Sequence, residues 1–347
     1  MALSRMVRLV HLGSKESIFL QRGGLKSGNG NIRTFRNGRK VNDEPKINPE
    51  SLATPFTNAH IDCSNLRAGS LFRPFLFTVA FSGSCFVGAA IWEYENMRSH
   101  AKMQLRKPMK FFRKSIDQGV HSTNTLIRDF KSWWNRLTEG ERIFAPICVL
   151  NVLVFLAWRI PRFQPMMLRY FCSNPASPNI YVPMVLSTFS HYSGLHLLAN
   201  MYVLHSFCTG AVHSLGKEQF LGFYLTAGVV SSFASYTYKV LTRQPGLSLG
   251  ASGAIMGILG YVCTQYPDTR LGIILLPVFT FSAGAAIKFI VGLDTAGVLL
   301  GWKFFDHAAH LGGAACGIMW AMWGNPNIWQ KREPVLQYWH QLRGSIK

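Results

Sequence analysis

From residue 75 onward the chain alternates between long apolar runs nearly free of charge and polar or proline-rich stretches. Residues 75–92 form the first run, 18 residues preceded by Arg73-Pro74 and followed by Glu93. About 20 such residues carry a helix across the hydrocarbon of a bilayer, so a first transmembrane helix is predicted there. Residues 143–158 form a shorter second run bracketed by Arg142 and Arg159, whose long side chains can snorkel to the two interfaces. Further runs cover residues 195–212, 220–238, 252–266, 279–300 and 305–323. The pattern predicts an all-α integral membrane protein with seven spans.

The segments between the runs have their own character. In the linker 93–141, Arg98, Lys102, Arg106, Lys107, Lys110, Arg113 and Lys114 precede a stretch where Ile116, Val120, Ile127, Phe130 and Trp134 recur at near-helical spacing. That spacing predicts an interfacial helix with Trp133 and Trp134 at headgroup level, and a solvated linker helix is the alternative. Pro161, Pro165, Pro175, Pro178 and Pro183 crowd the next connection together with the apolar residues 184–189, which suits a loop packed partly within the membrane. The predicted organisation is a basic segment 1–50, a pre-membrane segment 51–74, a first span 75–92, a linker 93–141, a membrane core 142–324 and a polar tail 325–347.

Composition agrees with the pattern. The chain has 347 residues, 48% hydrophobic and only 15% charged, with 36 Lys and Arg against 16 Asp and Glu. A net charge of +20 suits nucleic acid or an anionic membrane surface. The charges sit mainly in the ends and one linker, which favours the lipid bilayer as partner and gives no expectation of nucleic-acid binding. Residues 1–50 are basic, with Glu16 the one acidic residue before Asp43, and rich in Ser, Gly and Asn, resembling a mitochondrial transit sequence; a retained basic tail is the alternative. The seven cysteines lack any C-x-x-C spacing and read as small core residues.

A few polar groups stand inside the apolar runs. His196 and Asn200 are one helical turn apart on the third run, Ser252 opens the fifth, and His310 lies in the seventh. Taken alone, Ser252 in Gly250-Ala251-Ser252-Gly253 reads as a helix serine bonded to a carbonyl of the preceding turn. Buried hydroxyls, amides and imidazoles are nevertheless costly in hydrocarbon, so residues of this kind within spans are functional candidates. Gly253-x-x-x-Gly257 and Gly313-x-x-x-Gly317 form small faces on the fifth and seventh runs, which would let the two backbones approach and bring Ser252 to His310. A hydroxyl beside a neutral imidazole is an activated nucleophile. His196, Asn200 and the backbone N–H of Ser252 are then candidate donors to an oxyanion. Lys288 and Asp294, in the sixth run, read as structural charges facing the bundle or an interface. His191 reads equally well as lining a water-accessible cavity or as an interfacial structural histidine. His307 and His310 lack any H-E-x-x-H context, so no metal and no cofactor are expected.

His196 with Asn200, Gly250 with Ser252 and Gly253, and Ala309-His310 with Gly313 occur in the order and on the spans seen in the rhomboid intramembrane serine proteases, which the chain resembles. The resemblance covers about residues 142–324. It implies a six-helix core preceded by one additional transmembrane helix (1+6), as in the mitochondrial branch of that family. It also implies Ser252 as nucleophile, His310 as general base and acid without a required aspartate, and His196 and Asn200 as oxyanion donors. Met256 stands where many members have a tyrosine stacked on the histidine, so sulfur contacts are expected to hold the imidazole. An inner mitochondrial membrane enzyme cutting single-pass membrane proteins in or near their transmembrane segments is the implied activity. A catalytically silent relative that binds membrane helices, and a polytopic transporter, are the competing readings. Retention of both Ser252 and His310 weighs against the first, and the lack of paired broken helices in repeated halves against the second.

Overall fold

In the computed structural model the described residues are 67–111, 125–244, 246–273 and 276–345. The transit-like segment 1–50, most of 51–74 and residues 112–124 of the linker lie outside them. The helices are α1 (Phe72–Phe111), α2 (Thr125–Arg136), α3 (Glu139–Ala157), α4 (Gln164–Tyr170), α5 (Tyr181–Leu186), α6 (Gly194–Leu215), α7 (Lys217–Thr242), α8 (Ser252–Gln265), α9 (Ala283–Leu300), α10 (His307–Met319) and α11 (Glu333–Ser345). Most of each apolar run of the sequence falls on a helix; α1 continues well past residue 92 into the predicted linker, whereas α9 and α10 are shorter than the runs that predict them. Thr138 and Glu141 form a reciprocal capping box that starts α3 four residues before the apolar run.

The sixth run is divided. Its first residues belong to an antiparallel hairpin, β1 (Arg270–Ile273) with β2 (Leu276–Ser282), and helix α9 begins only at Ala283, where Ser282 accepts from the Ala285 N–H. Beyond α10 the chain continues as a π-helical segment, Trp320–Trp329, with Pro326 inside it.

Helix α8 is the centre of the bundle. Gly253, Ala254, Ile255, Gly257, Ile258, Leu259, Gly260, Tyr261 and Cys263 are all buried, so nearly every face has a protein neighbour. Those neighbours are α10, α7, α6 and α9. Helix α1 packs on the far side of α7, where Gly222 admits the Cys85 carbonyl and the Ala89 methyl. By length and composition, three helical segments among the described residues are apolar enough to cross a membrane: Ala68–Leu105, Glu139–Ala157 and Ala283–Leu300. Their outward faces carry exposed Leu76, Val79, Val149, Leu153, Phe289 and Leu293, which hydrocarbon would solvate.

The predicted polar tail is largely a helix. Arg332 meets Glu93 at 2.6 Å, Arg343 meets Glu95 at 2.9 Å, and the Trp339 indole donates to Glu95, so α11 and the residue before it are tied to the middle of α1, just past its apolar run.

Candidate active site

Ser252 is the first residue of α8. The turn that delivers it is pinned from two sides. The Gly250 N–H donates to the Ser187 carbonyl at 2.9 Å, and the Ala251 N–H donates to Nε2 of the fully buried His191 at 3.3 Å. His191 thus holds the loop that precedes Ser252 by accepting a backbone hydrogen bond. Gly250 has φ +129, and a Cβ there would meet the His196 ring at 2.8 Å, so both backbone conformation and space require glycine. Further back, Ser173 and Ser248 exchange backbone hydrogen bonds of 2.8 and 3.0 Å, which joins the proline-rich connection to the same loop.

His310 stands in the first turn of α10. Asp306 caps that helix by accepting the Ala309 N–H at 3.0 Å. It also accepts from the hydroxyls of Ser235 and Ser248 and forms an ion pair with Lys239 at 3.5 Å. One carboxylate thereby links α7, the loop that precedes Ser252 and the helix that carries His310. The short backbone approach of α8 and α10 does the rest: Gly313 lies on the Gly253 carbonyl and Gly317 on the Gly257 carbonyl. Gly253 itself also leaves room for the Ser231 side chain of α7, and Gly257 for the Ala227 methyl. The small faces predicted from the sequence therefore meet each other and α7 as well.

The result is a hydrogen bond of 2.9 Å between Oγ of Ser252 and Nε2 of His310. Both residues line a cavity of about 370 Å³ with His196, Lys239, Asp306 and the aromatic side chains of Trp302, Phe304 and Phe305. His196 reaches this cavity from α6, its ring 4.9 Å from that of His191. Asn200 is buried one turn further along α6, and its amide donates to the His196 carbonyl at 2.8 Å, which uses one of its two N–H donors. The aromatic ring beside His310 is that of Phe305, 6.0 Å between centroids, and Met256 packs in the hydrophobic core.

The two charges of the sixth run separate: Lys288 is exposed on α9, and Asp294 is 5% exposed. Asp294 is not a remote structural charge. Its Oδ1 lies 3.1 Å from Nδ1 of His310 and 2.7 Å from Nδ1 of His307. Sequence reasoning missed this, although a carboxylate within an apolar span is itself a signal. The three ligand-type atoms lie within 4.8 Å of one another, a spacing compatible with a metal; here they satisfy one another as hydrogen bonds.

The fold and this arrangement define a helical membrane protein with a serine and a histidine from two helices meeting below a polar cavity, and the chain belongs to the rhomboid family. The family model for the Rhomboid domain matches residues 178–325, which contain every residue of the site. The presenilin-associated rhomboid-like protein, mitochondrial, of Rattus norvegicus is 51% identical over 274 residues, 79% of this chain and 72% of the relative. Its counterpart in Homo sapiens is 50% identical over the same shares. Rhomboid protein 1, mitochondrial, of Saccharomyces cerevisiae is 34% identical over 204 residues, 58% of each chain. With these relatives and its apolar helices, the chain is a mitochondrial membrane protein.

Proposed function

We propose that this protein is an intramembrane serine endopeptidase of the inner mitochondrial membrane, acting on single-pass membrane proteins in or near their transmembrane segments. The observation that carries the reading is the 2.9 Å contact between Ser252 Oγ and His310 Nε2 at the start of a buried helix. In the proposed arrangement α1, α3, α6, α7, α8, α9 and α10 each cross the bilayer, one helix before a six-helix core. Helix α8 has 14 residues, a length of about 21 Å at 1.5 Å per residue, against ~30 Å of hydrocarbon. Its first residue then lies below the membrane surface, and the cavity above it supplies the water that hydrolysis consumes.

The chemistry follows from the atoms in contact. His310 Nε2 accepts the Ser252 proton as Oγ attacks the scissile carbonyl carbon, and the carbonyl electrons move onto oxygen. The Ser252 N–H, in the helix's first turn where such groups lack intrahelical partners, is one donor to that oxyanion. His196 and Asn200 are the others, each such donor contributing about 2.7–4 kcal/mol to the transition state. Collapse breaks the C–N bond, and His310 returns its proton to the leaving amine. Water then attacks the acyl-enzyme, giving a proton to His310, and Ser252 Oγ takes that proton back as the acid leaves. No metal or cofactor enters these steps.

A serine-reactive fluorophosphonate tests the reading. It is expected to form its adduct on Ser252 of the reconstituted protein, and to fail on the His310→Ala variant; an adduct on another serine, with Ser252 untouched, overturns it.

A further inference from the structure

Two of the groups proposed to donate to the oxyanion, the Ser252 N–H and the His196 side chain, belong to different elements, and His191 touches both. Its Nε2 accepts the Ala251 N–H at 3.3 Å, one residue before Ser252. Its ring stands 4.9 Å from that of His196, with 69° between the planes, an edge-to-face contact. His191 is fully buried, so water does not compete for either contact.

The backbone bond decides the tautomer. A ring nitrogen accepts only through its lone pair, so Nε2 is unprotonated, the imidazole is neutral and its one proton sits on Nδ1. That Nδ1 is buried with no hydrogen-bond partner among the described residues. A buried donor left unpaired destabilises a fold, and an apolar side chain would fill the same space without that cost. Packing alone therefore does not account for a histidine here, whereas the acceptor at Nε2 does.

The segment that carries His191 is fixed from the end of α3. The Trp158 indole donates to the Ser190 hydroxyl at 2.9 Å, and Arg159 donates to the Tyr192 carbonyl. The Arg159 guanidinium also lies over the Tyr192 ring, 4.9 Å from its centroid. Both sequence neighbours of His191 are thus tied down, and Ser193 caps α6 by accepting the His196 N–H. On the facing loop the N–H groups of Gly250 and Ala251 are both engaged, by the Ser187 carbonyl and by His191. The next N–H along is that of Ser252, where the helix opens.

We propose that His191 is a positioning residue for the oxyanion donors: by accepting the Ala251 N–H it fixes the direction of the Ser252 N–H, and by its ring contact it holds the His196 imidazole at the cavity. The proposal rests on Ser252 and His310 being the catalytic pair. His191 acts through the two donors and not on the proton transfer between that pair.

The test uses the full-length protein in proteoliposomes with a fluorogenic transmembrane substrate, and thermal unfolding in detergent as the folding control. A peptide aldehyde with the substrate's cleavage-site sequence is the second probe. Ser252 Oγ adds to its carbonyl carbon as the hydroxyl proton passes to His310, and the aldehyde oxygen takes the place of the oxyanion. His191→Leu is expected to lower kcat by about 10- to 100-fold with little change in KM, since donors misplaced by about 1 Å cost that order of rate. The inhibition constant of the aldehyde should rise by a similar factor, because both quantities read the same oxyanion contacts. In His191→Gln the amide oxygen is as many bonds from Cβ as Nε2 is, so most of the loss should be recovered; in His191→Asn it is one bond short, and the loss should remain. Both replacements are polar, so the contrast between them decides the matter even where His191→Leu does not fold.

A kcat restored by Gln and not by Asn, moving in step with the aldehyde constant, supports the proposal. Wild-type kcat in His191→Asn overturns it, and so does Gln no better than Asn, or a fall in kcat with the aldehyde constant unchanged. Ser252→Ala is run beside them: cleavage by that variant defeats the underlying serine mechanism, whereas an inactive Ser252→Ala with a fully active His191→Asn defeats only the role of His191.

Discussion

Gly313 of α10 lies against the backbone carbonyl of Gly253 of α8, with no room for a methyl group between them. Gly253 adjoins Ser252, and Gly313 is one turn beyond His310, so this contact sets the separation of the two side chains proposed to react. Gly313→Ala is expected to push the helices apart, costing about 1–3 kcal/mol of stability as an overpacked contact. Cleavage should fall by a larger factor than unfolding accounts for, because a displacement of about 1 Å at the reacting atoms costs on the order of 100-fold in rate. Comparing thermal unfolding with turnover at a temperature where the variant is folded checks this.

Gly250 supports the same pair from the loop side. Its φ of +129 strains any other residue by roughly 1–3 kcal/mol, and a Cβ would strike the His196 ring. Gly250→Ala should therefore slow both cleavage and fluorophosphonate labelling of Ser252 by at least about tenfold, given that both need the loop in place. Equal labelling rates for the variant and the parent would show that the loop tolerates the methyl.

Asp306 joins three elements through one carboxylate, with Lys239 as its ionic partner at 3.5 Å. Asp306→Ala removes a helix cap and takes the paired carboxylate away from a largely buried ammonium, a loss expected at about 2–4 kcal/mol. The double variant Lys239→Met, Asp306→Ser keeps a capping hydroxyl and removes both charges, and should be more stable than Asp306→Ala alone. Denaturant unfolding of the three proteins in detergent measures the difference.

Arg332 meets Glu93 at 2.6 Å and stacks over the Trp329 ring at 4.5 Å, but both members of the ion pair are about a quarter exposed. Solvent screening limits such a pair to about 0–1 kcal/mol. Arg332→Ala should therefore shift unfolding slightly and leave cleavage unchanged; a large loss of activity would mean that the α1–α11 contact bears on the site.

Much of this was legible in the chain because hydrocarbon imposes a simple rule: a helix that spans must be apolar, and the runs at 75–92, 143–158 and 279–300 fall largely on the three described helices long and apolar enough to cross a membrane. Ser252, His196, Asn200 and His310 stood out as polar exceptions to that rule, and the glycines at 253, 257, 313 and 317 suggested which helices approach. The hairpin at Arg270–Ser282 was not legible, because Leu271, Ile273, Leu276 and Phe279 are as apolar as a helix face and their two-residue alternation is broken around Pro277. Asp294 was seen as a charge but not as a partner of His310, since the two lie on different helices and their separation of 16 residues encodes no contact. The docking of α11 was hidden for a similar reason: Glu93 and Glu95 are more than 200 positions from the arginines they bind.

The most direct test of the central claim is cleavage of a transmembrane substrate in proteoliposomes by the wild type, Ser252→Ala and His310→Ala, with unfolding curves to show that all three are folded. Both variants should lose at least about 10³-fold in kcat, as the members of a nucleophile–base unit do when either is removed. Cleavage by folded Ser252→Ala at the wild-type rate would contradict the account.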